Sequence, residues 1–377
     1  MGLSAFKPLS RLPFAIADPQ ARRMASNMIE YTIAGKSGSI KATRRVVPIP
    51  TPGENEVLIR LVATDSNPKD WKASRNHPEG QGINQGDDIS GIVEAVGSSV
   101  HEYVPGDRVA AFHRMFQPHG SYAQYAIAPA STTFRLPPNI SFEAGATLPL
   151  ASMTAALALY QNLGLPLPWN PARAETPVLI YGGASAVGAY ALKFAKLSGL
   201  SPIITVAGNG VEFVKSLDAA DHIIDYRNGN VVEGILKALG GRKLHHAFDA
   251  VSYNRSYEHI VAVLQASGGG QIDMVDPPSD DSANPERAAW VWPEGIKFTR
   301  TFVSSAYGAP HKYRNEKEAA EDGEFAYVFY RYISRLLAEG KLEPHPYEVR
   351  PNGLEGVAEG IQLLFDRKVS AKKLVYR

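Results

Sequence analysis

Residues 178–206 leave few architectures open. Val178-Leu179-Ile180-Tyr181 is an unbroken apolar run that meets Gly182-Gly183-Ala184-Ser185-Ala186-Val187-Gly188, a helical stretch to about Ser198, and a second run, Ile203-Ile204-Thr205-Val206. Strand, glycine loop, helix and strand in that order define a unit whose two strands lie parallel, because the intervening helix must cross back over the sheet. Gly183, Ser185 and Gly188 hold the spacing of a G-x-G-x-x-G loop, with serine in the middle place. In such a loop backbone amides and the helix N-terminus face a pyrophosphate, so the residues predict a dinucleotide site.

The pattern continues through His222-Ile223-Ile224-Asp225, His246-Ala247-Phe248-Asp249, Gln271–Val275 and Phe298–Phe302. Apolar strands alternating with helices predict a doubly wound parallel sheet covered on both faces. Upstream the grammar differs. Met28–Ala34, Glu56–Ala63, Gly91–Gly97, Arg108–Phe112 and Gly120–Ile127 are short β-prone runs separated by Pro and Gly turns, which predicts a barrel-like first lobe. Ser141 is placed to cap a short helix, and Ser152–Leu163 reads as an Ala-rich helix between the lobes. Beyond Phe302 come a helix over Phe325–Glu339 and a helical face of Leu354, Val357, Ile361, Leu364 and Phe365. The final expected strand is Lys373–Tyr376. The expected fold class is α/β, divided into an extension (1–28), a catalytic lobe (29–160), a dinucleotide lobe (161–308) and a return to the catalytic lobe (309–377).

Composition limits the chemistry. The 377 residues include no cysteine, which excludes disulfides, thiolate nucleophiles and Cys-ligated zinc. With 39 basic against 38 acidic side chains the chain lacks the charge excess of a nucleic-acid binder. No apolar run approaches the roughly 18 residues of a membrane span. A cytoplasmic protein is expected, with residues 1–27 read as either an extension or a presequence. The His113/His119 and His245/His246 pairs lack metal-site spacing, and no metal is expected. Asp276–Glu286 reads as a surface loop. Tyr122, Tyr125, Trp290, Trp292 and Tyr307 are candidates either for a substrate cleft or for the core.

The second strand of the nucleotide unit runs into Ala207-Gly208-Asn209-Gly210, without the acidic residue that would hold the ribose hydroxyls of NAD. That favours NADPH, with Lys215, Arg227 and the Tyr226 hydroxyl as the nearest groups for its 2′-phosphate. The expected cofactor contacts are Gly183, Ser185, Ala186, Val187, Gly188, Asn209, Lys215, Tyr226 and Val251.

Gly86–Val100 (GDDISGIVEAVGSSV), Pro105-Gly106-Asp107-Arg108-Val109 and the nucleotide unit together resemble the medium-chain dehydrogenase/reductase superfamily from about residue 29 onward. The resemblance implies a chaperonin-10-like β-barrel catalytic domain into which a Rossmann domain is inserted. Where zinc-bearing members hold their catalytic metal, the matching positions are Asn67, Asp87-Asp88 and the neighbourhood of Ala151, so the resemblance implies loss of zinc chemistry. Asn67-Pro68-Lys69-Asp70-Trp71-Lys72, Leu148–Ala155 and Phe213–Leu217 with Asp225-Tyr226-Arg227 are similar to the fungal, zinc-free enoyl reductases that act in trans on polyketide synthases. Gly188 in place of a frequent Ala, and Asp87 where Cys is frequent, are departures.

By residue match the resemblance implies Lys72 as a cation near the nicotinamide ribose or the developing enolate, and Thr154 as the hydroxyl that orients the nicotinamide. It also implies Asn67 as a further hydrogen-bond donor. Each residue has a plainer reading: a surface lysine, a helix-bonded threonine, and for nearby Asp88 a tie between strands. The implied substrate is a small enoyl compound, free or carried as a thioester on a polyketide synthase. A quinone or 2-alkenal oxidoreductase and a non-redox NADPH-binding scaffold are the alternatives.

Overall fold

The computed structural model describes residues 26–35, 39–74, 82–278 and 290–377. Residues 1–25 and 279–289 lie outside the described residues, so nearly all of the expected extension and most of the Asp276–Glu286 loop fall there.

Two strands open the described chain, β1 (Asn27–Ala34) and β2 (Lys41–Pro48), paired as an antiparallel ribbon. β3 (Glu56–Asp65), β4 (Asp88–Val96), β5 (Arg108–Phe112), β6 (Tyr125–Pro129) and β7 (Thr133–Arg135) follow, with α1 (Pro68–Ser74) between β3 and β4 and α2 (Phe142–Ala146) after β7. β3 is the hub. It pairs with β4 along its length, with β6 over Glu56–Arg60, and at Thr64–Asp65 with β15 (Lys373–Tyr376). β14 (Tyr347–Val349) lies parallel to β15 at the sheet edge. Val57, Ile59, Ile89, Val93 and Val109 fill the interior of this lobe, each at most 1 % exposed.

β8 (Val178–Tyr181), β9 (Ile203–Ala207), β10 (His222–Asp225), β11 (His246–Asp249), β12 (Gly270–Met274) and β13 (Ile296–Arg300) form one parallel sheet in the order β10-β9-β8-β11-β12-β13. Chain order reverses between β8 and β11, and the crevice outside their carboxyl ends is where such sheets bind ligands. One face is covered by α6 (Val231–Leu239) and α7 (Ser256–Ala266), through Ile235, Leu239, Ile260 and Leu264. The other face carries α3 (Pro149–Ala156), α4 (Ala186–Leu197), α5 (Val211–Ser216) and the long helix Glu316–Ala338 in one apolar cluster, with Phe134 stacked on Tyr330 at 5.3 Å. That cluster joins the two lobes.

Several boundaries differ from the sequence reading. The expected helix Ser152–Leu163 is α3 followed by a π-helical turn, Leu157–Asn162. The wider turn delivers Asn162 to Asp273 and Thr301, at 2.7 Å each, and propensity carries no sign of that tertiary demand. The expected strand over Gly120–Ile127 begins only at Tyr125, because Ser121 and Tyr122 are drawn out of the ladder by Gly86 and Asn84. Strand β2 and helices α6 and α7 were not anticipated. Of the aromatic residues considered for a cleft or the core, four pack on other rings: Tyr122 is fully buried against Tyr376, Trp290 stands edge-on to Tyr257, Trp292 stacks on Phe298 and Tyr307 stacks on Phe112.

Burial pushes the Asp273 carboxyl up to about 7, although Thr299, Thr301 and Asn162 all donate to it. A raised carboxyl stabilises the fold below its unfolded value near 4 and loses that contribution as pH rises through the folded value. From pH 5 to 8 the wild type is therefore expected to lose on the order of 2–4 kcal/mol relative to Asp273→Asn. Denaturation midpoints of the two proteins at the two pH values check this; parallel pH dependences would refute it.

Candidate active site

A cavity of about 1050 Å³ opens between the lobes at the β8/β11 reversal. Its inner wall is the glycine loop. Gly182 takes φ +89°, and a Cβ there would lie 2.5 Å from Val251 Cγ1, so the turn accepts only glycine. Gly188 lets α4 pack on the loop, since a Cβ on it would come within 2.2 Å of the Gly182 carbonyl oxygen. Gly183 packs on Thr205 beneath the loop and does not line the cavity; nor does Gly188. Ser185 caps α4: its hydroxyl accepts from Gly188 N at 3.0 Å and donates to Gly182 O at 2.8 Å. The serine hydroxyl is thus engaged within the loop. The amides of Ala186 and Val187 precede the first intrahelical bond, Ala189 N to Ser185 O, and stand at the positive end of the helix dipole.

Farther out lie Asn209 and Tyr226. The Tyr226 ring packs on Gly208, where a Cβ would meet its Cζ at 2.3 Å. Arg227 is held by Asp225 and reaches Asn209 Oδ1 at 3.3 Å. Lys215 pairs with Glu212 at 2.7 Å and stays off the cavity wall. This cradle of helix amides, a close glycine turn and a polar outer end fits a dinucleotide.

The opposite wall comes from the barrel lobe. Asn67, Lys72 and Thr154 all line the same cavity. Lys72, on α1, spans the cleft to Asp276 at 3.1 Å, and Arg367 lies 3.5 Å over the Tyr253 ring; each of these contacts crosses between the lobes. The Thr154 hydroxyl, 6 % exposed, donates to Leu150 O at 2.8 Å.

Asn67 belongs to a buried cluster. Its Nδ2 donates to Asp88 Oδ2 at 2.7 Å and reaches Asp65 Oδ1 at 3.3 Å, while its Oδ1 accepts from Lys373 Nζ at 2.7 Å. Both amide hydrogens are spent inside the protein, so Asn67 shapes the wall and has none left to donate into the cleft. Burial and the neighbouring Asp88 hold the Asp65 carboxyl well above the usual carboxylate range. Asp87 faces away from this cluster and binds Lys69 and His113; His113 is fixed between Asp87 Oδ1 and the Pro118 carbonyl, both at 2.9 Å. Asp70, taking hydrogen bonds from Asn67 N and the Tyr122 hydroxyl, is pushed up to about 6 by burial. Nearby, burial drives His345 down to about 3, which leaves it neutral.

A zinc ion does not fit the cluster, because its oxygens converge on the Lys373 ammonium. Among the described residues no three His, Cys, Asp or Glu side chains are grouped to hold a metal. Asp65 and Lys373 were missed by sequence reasoning. The available signal was a lysine opening an apolar strand, which is buried only when paired.

The parallel sheet, the barrel-like lobe and the cleft between them define a two-lobed nucleotide-dependent dehydrogenase or reductase. Residues 53–138 match the alcohol dehydrogenase GroES-like domain, and residues 186–315 match the zinc-binding dehydrogenase family. The trans-enoyl reductase fsr4 of Gibberella fujikuroi is 40 % identical over 317 residues, covering 82 % of this chain and 87 % of that protein. The trans-enoyl reductase ACTTS2 of Alternaria alternata is 32 % identical over 343 residues, covering 88 % and 94 %. The crystal structure of CurK enoyl reductase superposes with a TM-score of 0.70 at 20 % identity, over 92 % of this chain and 98 % of that one, a likeness of fold. The chain belongs to the trans-enoyl reductases of the medium-chain dehydrogenase/reductase superfamily, a family that uses nicotinamide cofactors.

Proposed function

We propose that this protein is an NADPH-dependent, zinc-independent reductase of activated carbon–carbon double bonds, acting in trans on enoyl thioesters carried by a polyketide synthase. One observation carries the reading: the phosphate cradle and the wall holding Lys72 and Thr154 face the same cavity from opposite lobes. When bound, the nicotinamide supplies a hydride to the β-carbon of the alkene.

The chain's own residues do the rest. The Ala186 and Val187 amides at the α4 N-terminus hold the pyrophosphate. Val206-Ala207-Gly208-Asn209 presents no carboxylate to repel a 2′-phosphate, and Tyr226 and Arg227 stand beside it, which favours NADPH over NADH. Negative charge develops on the thioester oxygen as the β-carbon is reduced, and the Lys72 ammonium is a half-exposed cation of that wall, ion-paired across the cleft with Asp276. Thr154 orients the nicotinamide ring from α3. Among the described residues no helix is long and apolar enough to cross a membrane; the proposed site of action is the cytoplasm, beside the synthase.

The test is NADPH consumption, with NADH as control, across α,β-unsaturated thioesters, enals, enones and quinones, with product masses recorded. Saturated thioester products are expected; turnover restricted to quinones or enals would replace the reading. Lys72→Met is expected to lower kcat/KM for the thioester roughly 100-fold, with NADPH affinity changed less than about threefold. Equal loss of NADPH binding and turnover would move Lys72 from the chemistry to cofactor binding.

A further inference from the structure

Lys373 opens β15 and is 5 % exposed, yet it borders the cleft. Its Nζ donates to Asn67 Oδ1 at 2.7 Å and to Asp88 Oδ2 at 3.3 Å, and it is ion-paired with Asp65 Oδ2 at 3.0 Å. Asp88 passes the connection on: its Oδ1 accepts from Leu150 N at 2.7 Å, and Leu150 O accepts from the Thr154 hydroxyl at 2.8 Å. One unbroken chain of polar contacts therefore runs from Lys373 through Asp88 and Leu150 to Thr154, with a branch to Asn67. Both ends face the cavity.

The strand does not need Lys373 to stay in place. Tyr376 and Val375 pair with Thr64 and Asp65 of β3, Ser66 N donates to Leu374 O at 3.1 Å, and Ser66 Oγ donates to the Tyr376 hydroxyl at 2.9 Å. What needs Lys373 is the pair of carboxylates. Asp65 and Asp88 are both 0 % exposed, and without a cation between them they repel or take up protons, which turns Asn67 and shifts the start of α3.

We infer that Lys373 is the positioning residue of this active site, an internal cation that fixes Asn67 and, through Asp88 and Leu150, the Thr154 hydroxyl against the cofactor. The inference rests on the reductase reading. A displacement of about 1 Å at such a wall costs on the order of 100-fold in rate.

The experiment uses the full chain with Lys373→Ala and Lys373→Met. Folding is read from NADPH binding by fluorescence, expected within about threefold of wild type. The kcat for the enoyl thioester is expected to fall roughly 100-fold with little change in its KM. Methylammonium, which fits the space left in Lys373→Ala, is expected to restore about tenfold of that loss. It should do nothing for Lys373→Met, whose side chain fills the space. Calorimetry gives a readout without any acceptor: saturable methylammonium binding to Lys373→Ala and none to wild type. Should neither variant fold, Lys373→Gln, which keeps an N–H donor, carries the same kcat-against-KM split. Unchanged kcat in a folded variant, or a loss that methylammonium does not reverse, overturns the inference while leaving the reductase reading intact. Wild-type protein inert toward every acceptor overturns the reading and the inference with it.

Discussion

Gly182→Val is expected to raise the dissociation constant for NADPH by at least about 100-fold. Two costs add. The backbone at Gly182 has φ +89°, a region closed to a β-branched side chain, and the new Cβ would lie 2.5 Å from Val251 Cγ1. Each cost is on the order of 1–3 kcal/mol, and every 1.4 kcal/mol is tenfold in affinity. Relief requires the loop to swing toward the cavity, where the pyrophosphate would sit. The fold should survive, because β8 and α4 are held by contacts beneath the loop, Leu179 on one face of the sheet and Ile180, Leu192 and Phe194 on the other. Fluorescence titration with NADPH beside a thermal melt separates the two effects. Retained affinity would mean that the cofactor lies away from this turn.

Asp88→Ala is expected to remove about 3 kcal/mol of stability, together with most of the turnover. Asp88 is the acceptor for Leu150 N and Asn67 Nδ2, both at 2.7 Å, and one of two carboxylates on Lys373. Each donor left unpaired in a buried site costs on the order of 1–3 kcal/mol. Relief of the Asp65–Asp88 repulsion offsets part of this, because Asp65 and Lys373 remain as a neutral pair. Asp88→Asn should lie between, since its amide oxygen can replace only one of the two carboxylate acceptors. Denaturant midpoints and kcat measured on both variants check the order; a fully stable Asp88→Ala would show that the cluster bears no weight.

The parallel sheet was legible from apolar runs alternating with helices: Val178–Tyr181 and His246–Asp249 inside the sheet, and the edge strand His222–Asp225, agree with the observed limits to the residue. The glycine loop was legible for a related reason, as a backbone demand that only glycine meets leaves a visible mark. Helix α6 was missed although Val231, Ile235 and Leu239 lie on one face, because Gly234 and the preceding Asn-Gly-Asn read as loop. β2 faces solvent along most of its length and carries no apolar alternation. In the site, Lys72, Thr154 and Asn67 came from local motifs, but their couplings did not. Lys373 is 306 residues from Asn67, and only the closing of the barrel lobe brings the two together. The Thr154 hydroxyl's bond to Leu150 is the plain reading of that residue, and under the proposed function the same hydrogen bond would also aim the side chain at the nicotinamide.

The place of β15 bears on how the molecule comes into being on the ribosome. β3 emerges early, but the strand that pairs with its end at Thr64 and Asp65 is some 310 residues downstream. The parallel sheet, complete by Arg300, can assemble while the barrel lobe still lacks a stave. Nascent chains would then pass through a stage able to grasp nucleotide but with one wall of the cleft unfinished, and Asp65 and Asp88 would wait there without their counter-ion. Under the proposed function reductive competence would arrive last, when residues 373–376 slot in, so a premature stop codon just upstream of Lys373 is expected to abolish turnover before it abolishes nucleotide binding.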